Sequence, residues 1–541
     1  MGSDTRVLIV NNIKLPINAS LKEAFSVASK KLMKLNINPR DVKFSVYKRS
    51  IDARNKSDIK FVYSIAAEGS FGSFSKDRVA ALGITADISQ NIEPIKFGSE
   101  SLSAPPIIVG AGPAGLFAAL ILAENGYAPI VIERGGSVCE RNEKINVLYT
   151  NYILDPNTNI QFGAGGAGTF SDGKLVTRVN DPLCSYVLER FVDFGAPSDI
   201  KYVAKPHIGT DILSLVIENI ISRITELGGK ILYHTCFTGF SELRSRTVAH
   251  TTVGDMEFGA LILAVGHSAR DTYSRLLKSG VHIEAKDFSV GMRIEHLADD
   301  IDKAMYGDFA GNSLLGRAEY NLSYNTKERG VYTFCMCPGG EVVAATSEEF
   351  GVVVNGMSRH SRSGKNSNSA VVCSVFKSDY GATPEQAIEF QRKIERAAFI
   401  AGNGSYAAPI VTVGDFLSGR AITEPNRVIP TYMNGNNVKI ASPSEYLPSF
   451  ITDSIKNALL DFDKKINGFA HESAVLTGAE TRTSAPVRIL REQTSRLAIG
   501  YKNIYPVGEG AGYAGGITSA SVDGIKTAIA IMERYKSNSK L

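Results

Sequence analysis

Ile107-Ile108-Val109-Gly110-Ala111-Gly112-Pro113-Ala114-Gly115-Leu116-Phe117 is the stretch on which the fold turns. A short apolar run reads as a buried strand, glycines follow in the spacing GxGxxG, and the apolar pattern from Pro113 to about Asn125 reads as a helix. Ala128–Glu133 reads as the next strand, and Glu133 closes it 23 residues beyond Gly110. Strand, glycine turn, helix and strand open a βαβ unit and therefore a parallel sheet. Gly110 permits the tight turn, Gly112 lets a pyrophosphate approach the backbone, and Gly115 lets helix and strand pack closely. The helix N-terminus offers unpaired N–H groups to the phosphates, and the Glu133 carboxylate can accept from ribose hydroxyls. An acidic residue there argues against a bare 2′-phosphate, with Arg134 beside it pulling the other way.

Two further glycine clusters fit the same picture. Phe162–Gly173 holds five glycines in twelve residues and runs into Lys174, which brings backbone close to something flat or charged. Val507–Gly516 leads directly into a last apolar helix from Ile517 to about Tyr535, giving a second helix N-terminus behind glycines. Between them, Ile262–His267 reads as a buried strand ending in Gly266. From Asn503 the strand–glycine–helix texture returns, so the chain is expected to leave the first sheet and come back to complete it. No second strand–GxGxxG–helix unit occurs. A dedicated NAD(P) domain is therefore not expected, and NAD(P)H enters only as a transient reductant.

On these residues the chain resembles the FAD-binding fold of the glutathione-reductase superfamily. More narrowly it is similar to the NAD(FAD)-utilising dehydrogenase-like flavoproteins, through TFSDGKLVTR at 169–178, FCMCPGGEVV at 334–343 and a small N-terminal α/β unit. The resemblance implies FAD as cofactor, with Gly110, Gly112, Pro113, Ala114 and Gly115 at the pyrophosphate and Glu133 and Arg134 at the ribose. It adds Arg141, Gly165, Gly166, Thr169 and Lys174 from the second glycine segment and its surroundings. A strand Leu232–Phe237, with Cys236 and Phe237, is implied for the adenine, and Ala264 and Gly266 mark the strand that links back into the sheet. Gly508, Glu509, Gly516 and Ile517 are implied for the ribityl end, where the superfamily commonly carries Asp in place of Glu509. The disulfide-reductase subclass places CxxxxC on the helix after an early glycine loop. The corresponding helix here has no cysteine, so that mechanism is not expected.

Length and composition bound the rest. With 541 residues, 44% hydrophobic and 21% charged, the chain is an ordinary globular protein of three or four domains by a prior of about 100–200 residues each. The expected division is an N-terminal α/β accessory unit over 1–100, a first FAD-binding part over 104–286, a substrate or cap unit over 287–484, and an FAD-binding return over 485–541. The fold class is thus α/β, a Rossmann-like domain assembled from discontinuous segments. Within 5–66 a β-α-β-β order is expected: strand Arg6–Asn11, a helix from Leu21 to Leu35 opened by a Ser20/Glu23 capping box, and strands over 42–46 and 59–65. Ser101–Pro106 reads as a linker and Thr383–Gly402 as a helix with Pro384 in its first turn.

No run reaches the roughly 18 apolar residues of a membrane span, and scattered cysteines with no signal peptide point to the cytoplasm. Residues 1–60 carry 13 Lys and Arg against 5 Asp and Glu, a balance of +8, which reads chiefly as a solvated face and offers a docking surface for a protein or nucleic-acid partner. Eight histidines without HxH or HExxH, and no CxxC, point to no metal site. Cys335 and Cys337, one residue apart in a strand-like segment, are expected on one face, chiefly as buried small hydrophobes, with a redox pair as the functional alternative. His267 is expected chiefly in a structural hydrogen bond, with a place near the cofactor as the alternative, and Ser358–Lys365 chiefly as a solvated basic loop, with binding of an anionic substrate as the alternative. The residues single out no general acid or base. The expected activity is hydride or electron transfer through the flavin to or from a small-molecule substrate. The alternatives are an RNA-modifying flavoprotein that docks through the basic N-terminus, and a flavin-bearing scaffold.

Overall fold

Three-residue strands build the central sheet. The computed structural model describes residues 5–71, 74–86, 94–242, 246–419 and 423–537. Parts of the expected 1–100 and 485–541 units (1–4, 72–73, 87–93 and 538–541) lie outside that description. Ile107–Val109, Ile130–Ile132, Lys230–Leu232, Leu261–Leu263 and Ile504–Pro506 form one parallel sheet, ordered 504–506, 261–263, 107–109, 130–132, 230–232. The C-terminal strand pairs with Leu261–Leu263, so the chain does return to the sheet it left. The helix Pro113–Glu124 is apolar around its whole circumference because it is covered on all sides, with residues 114–123 buried. The helix Ile517–Arg534 packs on it closely enough that a Cβ at Gly524 would stand 2.1 Å from the Ala114 carbonyl oxygen.

The expected strand Leu232–Phe237 is a correction. The parallel strand stops at Leu232, and the chain turns around Glu133: Thr235 N–H donates to the Glu133 carbonyl at 2.8 Å and His234 adopts φ +53°. Phe237–Glu242 then starts a separate antiparallel sheet with Thr247–Thr251 and Gly254–Glu257.

Residues 288–480 contribute a seven-stranded sheet in which all neighbours but one pair are antiparallel. Its strand Phe288–Leu297 is buried almost throughout, yet contains Arg293, Glu295 and His296. A two-stranded ribbon, Ile283–Ala285 with Val487–Ile489, carries the chain into this unit and out of it.

The N-terminal β-α-β-β order is as read, with longer strands. The first runs over Thr5–Pro16 because a bulge at Asn11 and Asn12, the latter at φ +57°, lets pairing continue past the expected stop. Glu23 accepts from the Ser20 N–H at 2.9 Å, closing the expected capping box at the start of helix Leu21–Met33. This unit docks through Arg49, whose backbone exchanges hydrogen bonds with Tyr202 and Ala204 and whose guanidinium lies over Phe61 and Tyr202.

Candidate active site

The C-terminal ends of the parallel strands open into a cleft whose other wall comes from the seven-stranded unit. Both helices that begin behind glycines point their N-termini into it: Pro113 and Ala114 line it on one side, Gly516 and Ile517 on another. Gly112 lies at φ −79°, ψ −178°, and a Cβ there would meet only the Gly166 Cα, at 3.9 Å. A Cβ on Gly516 would meet nothing within 4 Å. These glycines keep the cleft itself open, whereas Gly110 and Gly115 are small because other backbone is in the way. A Gly115 Cβ would stand 2.0 Å from the Gly110 carbonyl oxygen.

Glu133 organises this floor. Its carboxylate accepts the N–H groups of Ala111 (2.8 Å), Gly135 (3.0 Å) and Gly163 (3.0 Å), tying both glycine segments to the end of the second strand. A carboxylate has about four acceptor positions, so three backbone donors leave it room for a ribose hydroxyl in the cleft it lines. Arg134 lines the same region, stacked on Phe162 at 4.3 Å and paired with Asp271. Ala264, Gly266, Phe237, Gly166 and Lys174 also reach the cleft, the lysine ion-paired with Glu319 at 3.6 Å.

The other sequence candidates stand behind the wall. Fully buried Arg141 donates to the carbonyls of Asn159, Ile160 and Ala164 and to Thr169 Oγ1, lashing the second glycine segment from the rear. Gly165 packs on Thr169 and Ile217, and the Cys236 N–H donates to Thr252 Oγ1. Gly508 donates to Asp523, which Arg491 and Arg496 hold in place.

Glu509 does reach the cleft. Burial pushes it up to about 7, against the pull of Lys286. A carboxyl raised in the fold favours folding below its unfolded value of about 4.3 and loses that contribution as pH rises through the folded value. Glu509→Gln is therefore expected to stabilise the flavin-free protein progressively more, relative to the parent, between about pH 4.3 and 7. Urea-denaturation midpoints of both proteins across that range check this.

A polar chain links the parallel-strand side of the cleft to the seven-stranded unit. Gln161 Nε2 donates to the Ala345 carbonyl (3.2 Å), the Ser268 hydroxyl donates to Gln161 Oε1 (3.1 Å), and His267 Nδ1 faces Ser268 Oγ at 2.9 Å. This chain puts the imidazole proton on Nδ1 and leaves Nε2 as an acceptor. Burial, with Arg482 and Arg270 nearby, drops His267 to about 3 and keeps it neutral. Arg482 and Asn355 complete the seven-stranded unit's side; neither sits in a recognisable motif, and only the folding of segments far apart in sequence brings them here.

Two expectations are corrected. Ser358–Lys365 is only partly solvated: buried Arg362 pairs with Asp172 and Glu319, Ser358 bonds Asp172 and His360 stacks on His207, while Arg359, Ser361, Ser363 and Lys365 stay exposed. Cys335 and Cys337 do not share one face of a regular strand, because a bulge at Cys335 (φ +43°) shifts the register; both nevertheless line the cleft. Among the described residues no group of His, Cys, Asp and Glu is arranged to hold a metal ion, and no helix is long and apolar enough to cross a membrane.

Residues 287–483 match a family described as FAD-dependent protein, C-terminal domain-like, and residues 8–68 match a domain of unknown function. FAD, the cofactor expected from the sequence, is the one this family names. Among solved structures, CtdE in complex with FAD is 12% identical with TM-score 0.32, covering 79% of this chain and 84% of its own. The flavin-dependent halogenase CmlS is 12% identical with TM-score 0.37, covering 80% and 58%. An L-amino acid deaminase from Proteus vulgaris is 11% identical with TM-score 0.32, covering 83% and 97%. An uncharacterized protein of Clostridium beijerinckii is 44% identical over 532 residues, 97% of this chain and 98% of that one. At that identity across nearly the whole length, the chain belongs to the family of the Clostridium beijerinckii protein, with an FAD-dependent protein C-terminal domain-like unit at its centre.

Proposed function

We propose that the protein is an FAD-dependent oxidoreductase whose cofactor lies along the cleft, on a Rossmann-like sheet, with the substrate entering from the side of the seven-stranded unit. The observation that carries this reading is the convergence of two helix N-termini and open glycine positions on one cleft beside the Glu133 carboxylate. Bound there, FAD would supply two-electron redox chemistry through its isoalloxazine ring.

The chain's own residues divide the remaining work. The helix starting at Pro113 offers N–H groups and its positive end to the pyrophosphate. Glu133 has acceptor room for the ribose. The helix starting at Ile517 presents positive dipole charge where a reduced, anionic ring would gain from it. His267, held neutral with Nε2 free, accepts a hydrogen bond from an N–H or O–H in the cleft. Lys174, the lysine that lines the cleft, favours negative charge there.

Anaerobic mixing of the FAD-loaded protein with NADH, NADPH and a panel of small-molecule substrates tests the activity. Bleaching of the flavin band near 450 nm by at least one donor on a seconds-to-minutes scale is the expected result, roughly the range of ordinary enzymes. A flavin that dithionite bleaches and none of these donors touches would mean a structural flavin.

A further inference from the structure

Phe334-Cys335-Met336-Cys337-Pro338-Gly339-Gly340 forms the part of the cleft wall that carries both thiols. The strand Gly330–Cys337 pairs regularly with Asn366–Val375 until Phe334 meets Ala370; then the register slips, and Cys337 meets Asn368. Cys335 sits in the left-handed region at φ +43°, where a side chain other than glycine is strained.

Something holds it there. Arg293, fully buried in the strand Phe288–Leu297 on the far side of Asn366–Val375, donates from Nη1 to the Cys335 carbonyl at 3.0 Å. Glu480 pins the same guanidinium with two bonds of 2.7 Å, and Asn368 and Asn355 take its other N–H groups. Cys337 Sγ donates to the Cys335 carbonyl at 3.3 Å, so its sulfur lies against the backbone of the other cysteine. Two small apolar residues on a regular ladder would line the wall equally well. They would need neither a strained residue nor a buried ion pair, which costs desolvation energy.

We propose that Cys335 and Cys337 are a dithiol–disulfide couple that exchanges two electrons with the FAD of the same cleft, an inference that rests on the FAD reading above. In the oxidising direction for the protein, the two S–H bonds break and the Cys335–Cys337 S–S bond forms. Two electrons and one proton pass to oxidised FAD, and the second proton passes to solvent. In the other direction, two electrons and one proton from reduced FAD, with one proton from solvent, break the S–S bond and restore both thiols. Burial pushes the Cys337 thiol up to about 11, against the pull of Arg293, whereas Cys335 is exposed at the cleft wall. Cys337 is thus a neutral thiol at neutral pH and gives up its proton when the S–S bond forms.

The test has two readouts on the full-length protein. Flavin-free protein is oxidised in the folded state with diamide, then unfolded, alkylated, digested and weighed. A peptide carrying an unalkylated Cys335–Cys337 pair, two hydrogens lighter, is expected, with Cys139 alkylated as an internal control; alkylation of both Cys335 and Cys337 would overturn the proposal. FAD-loaded oxidised protein is then titrated anaerobically with dithionite. Four electrons per FAD are expected for the parent and two for Cys335→Ser, Cys337→Ser and the matching alanine variants; two for the parent would overturn it. Protein that retains FAD but forms no disulfide removes this inference alone. Protein that retains no FAD removes the FAD reading, and the electron exchange with it, whatever the thiols do.

Discussion

Gly112→Ala is expected to lower FAD affinity about 100-fold or more, roughly 3 kcal/mol, while leaving the flavin-free fold intact. Gly112 already has dihedrals that alanine adopts freely, and its Cβ would find the Gly166 Cα at an ordinary 3.9 Å. The methyl therefore troubles nothing in the protein and occupies the space through which a pyrophosphate reaches the helix N-terminus. Gly115→Ala, three residues on, is the contrasting case. Its methyl would lie 2.0 Å from the Gly110 oxygen and 3.2 Å from Ile108 Cγ2, so the helix has to move off the strand. Overpacking of this kind costs about 3 kcal/mol of stability. Urea unfolding and FAD titration of both variants separate the effects: affinity without stability at Gly112, stability first at Gly115.

The second large effect is expected at Glu395, in the helix Pro384–Ala401. Its buried carboxylate accepts from Arg270 (2.7 and 2.8 Å), from Arg482 (3.0 and 3.2 Å) and from Thr481 (2.6 Å). Arg270 opens the helix that follows the parallel strand Leu261–Leu263, while Glu395 and Arg482 belong to the seven-stranded unit. The cluster therefore clamps the two walls of the cleft together. Glu395→Gln keeps the shape and leaves two buried guanidinium groups with one fewer counter-charge, a loss of about 3–5 kcal/mol. The same cluster sets an acid limit. Burial works against the charged carboxylates, but Arg270 and Arg482 hold Glu395 well below the usual range, and Arg392 and Arg270 hold Glu348 at about 2. Groups depressed in the fold contribute fully above their unfolded value of about 4.3, and that contribution disappears as pH falls below it. Acid unfolding of the parent should thus begin below about pH 4.3, and the variant should unfold at a higher pH.

What the sequence disclosed follows from how local each feature is. The strand, glycine turn and helix at 107–124 are dictated by neighbours a few residues apart, and they appear as read, as do the helices at 384–401 and 517–534. Features set by distant partners went unread. Leu232–Phe237 looks continuous, but the Glu133 backbone breaks it; Arg362 looks like a solvated cation, but Asp172 and Glu319 draw it inside. Arg141 looks like a cofactor ligand from its place beside the loop, and its donors are taken by carbonyls the loop itself supplies. The glycine-lined side of the cleft was therefore legible in the sequence. The facing side, with Arg482 and Asn355, depends on contacts between segments far apart in sequence, as does the Gln161–Ala345 bond that ties the His267–Ser268–Gln161 chain to it.

The cleft is expected to hold one FAD per chain. Flavin-free, full-length protein titrated with FAD and followed by flavin absorption and fluorescence tests it most directly. Saturation at one FAD per chain, with a shifted flavin spectrum that survives gel filtration and is lost in Gly112→Ala, is the predicted result. A spectrum that stays that of free FAD, with all flavin separating from the protein on the column, would contradict it.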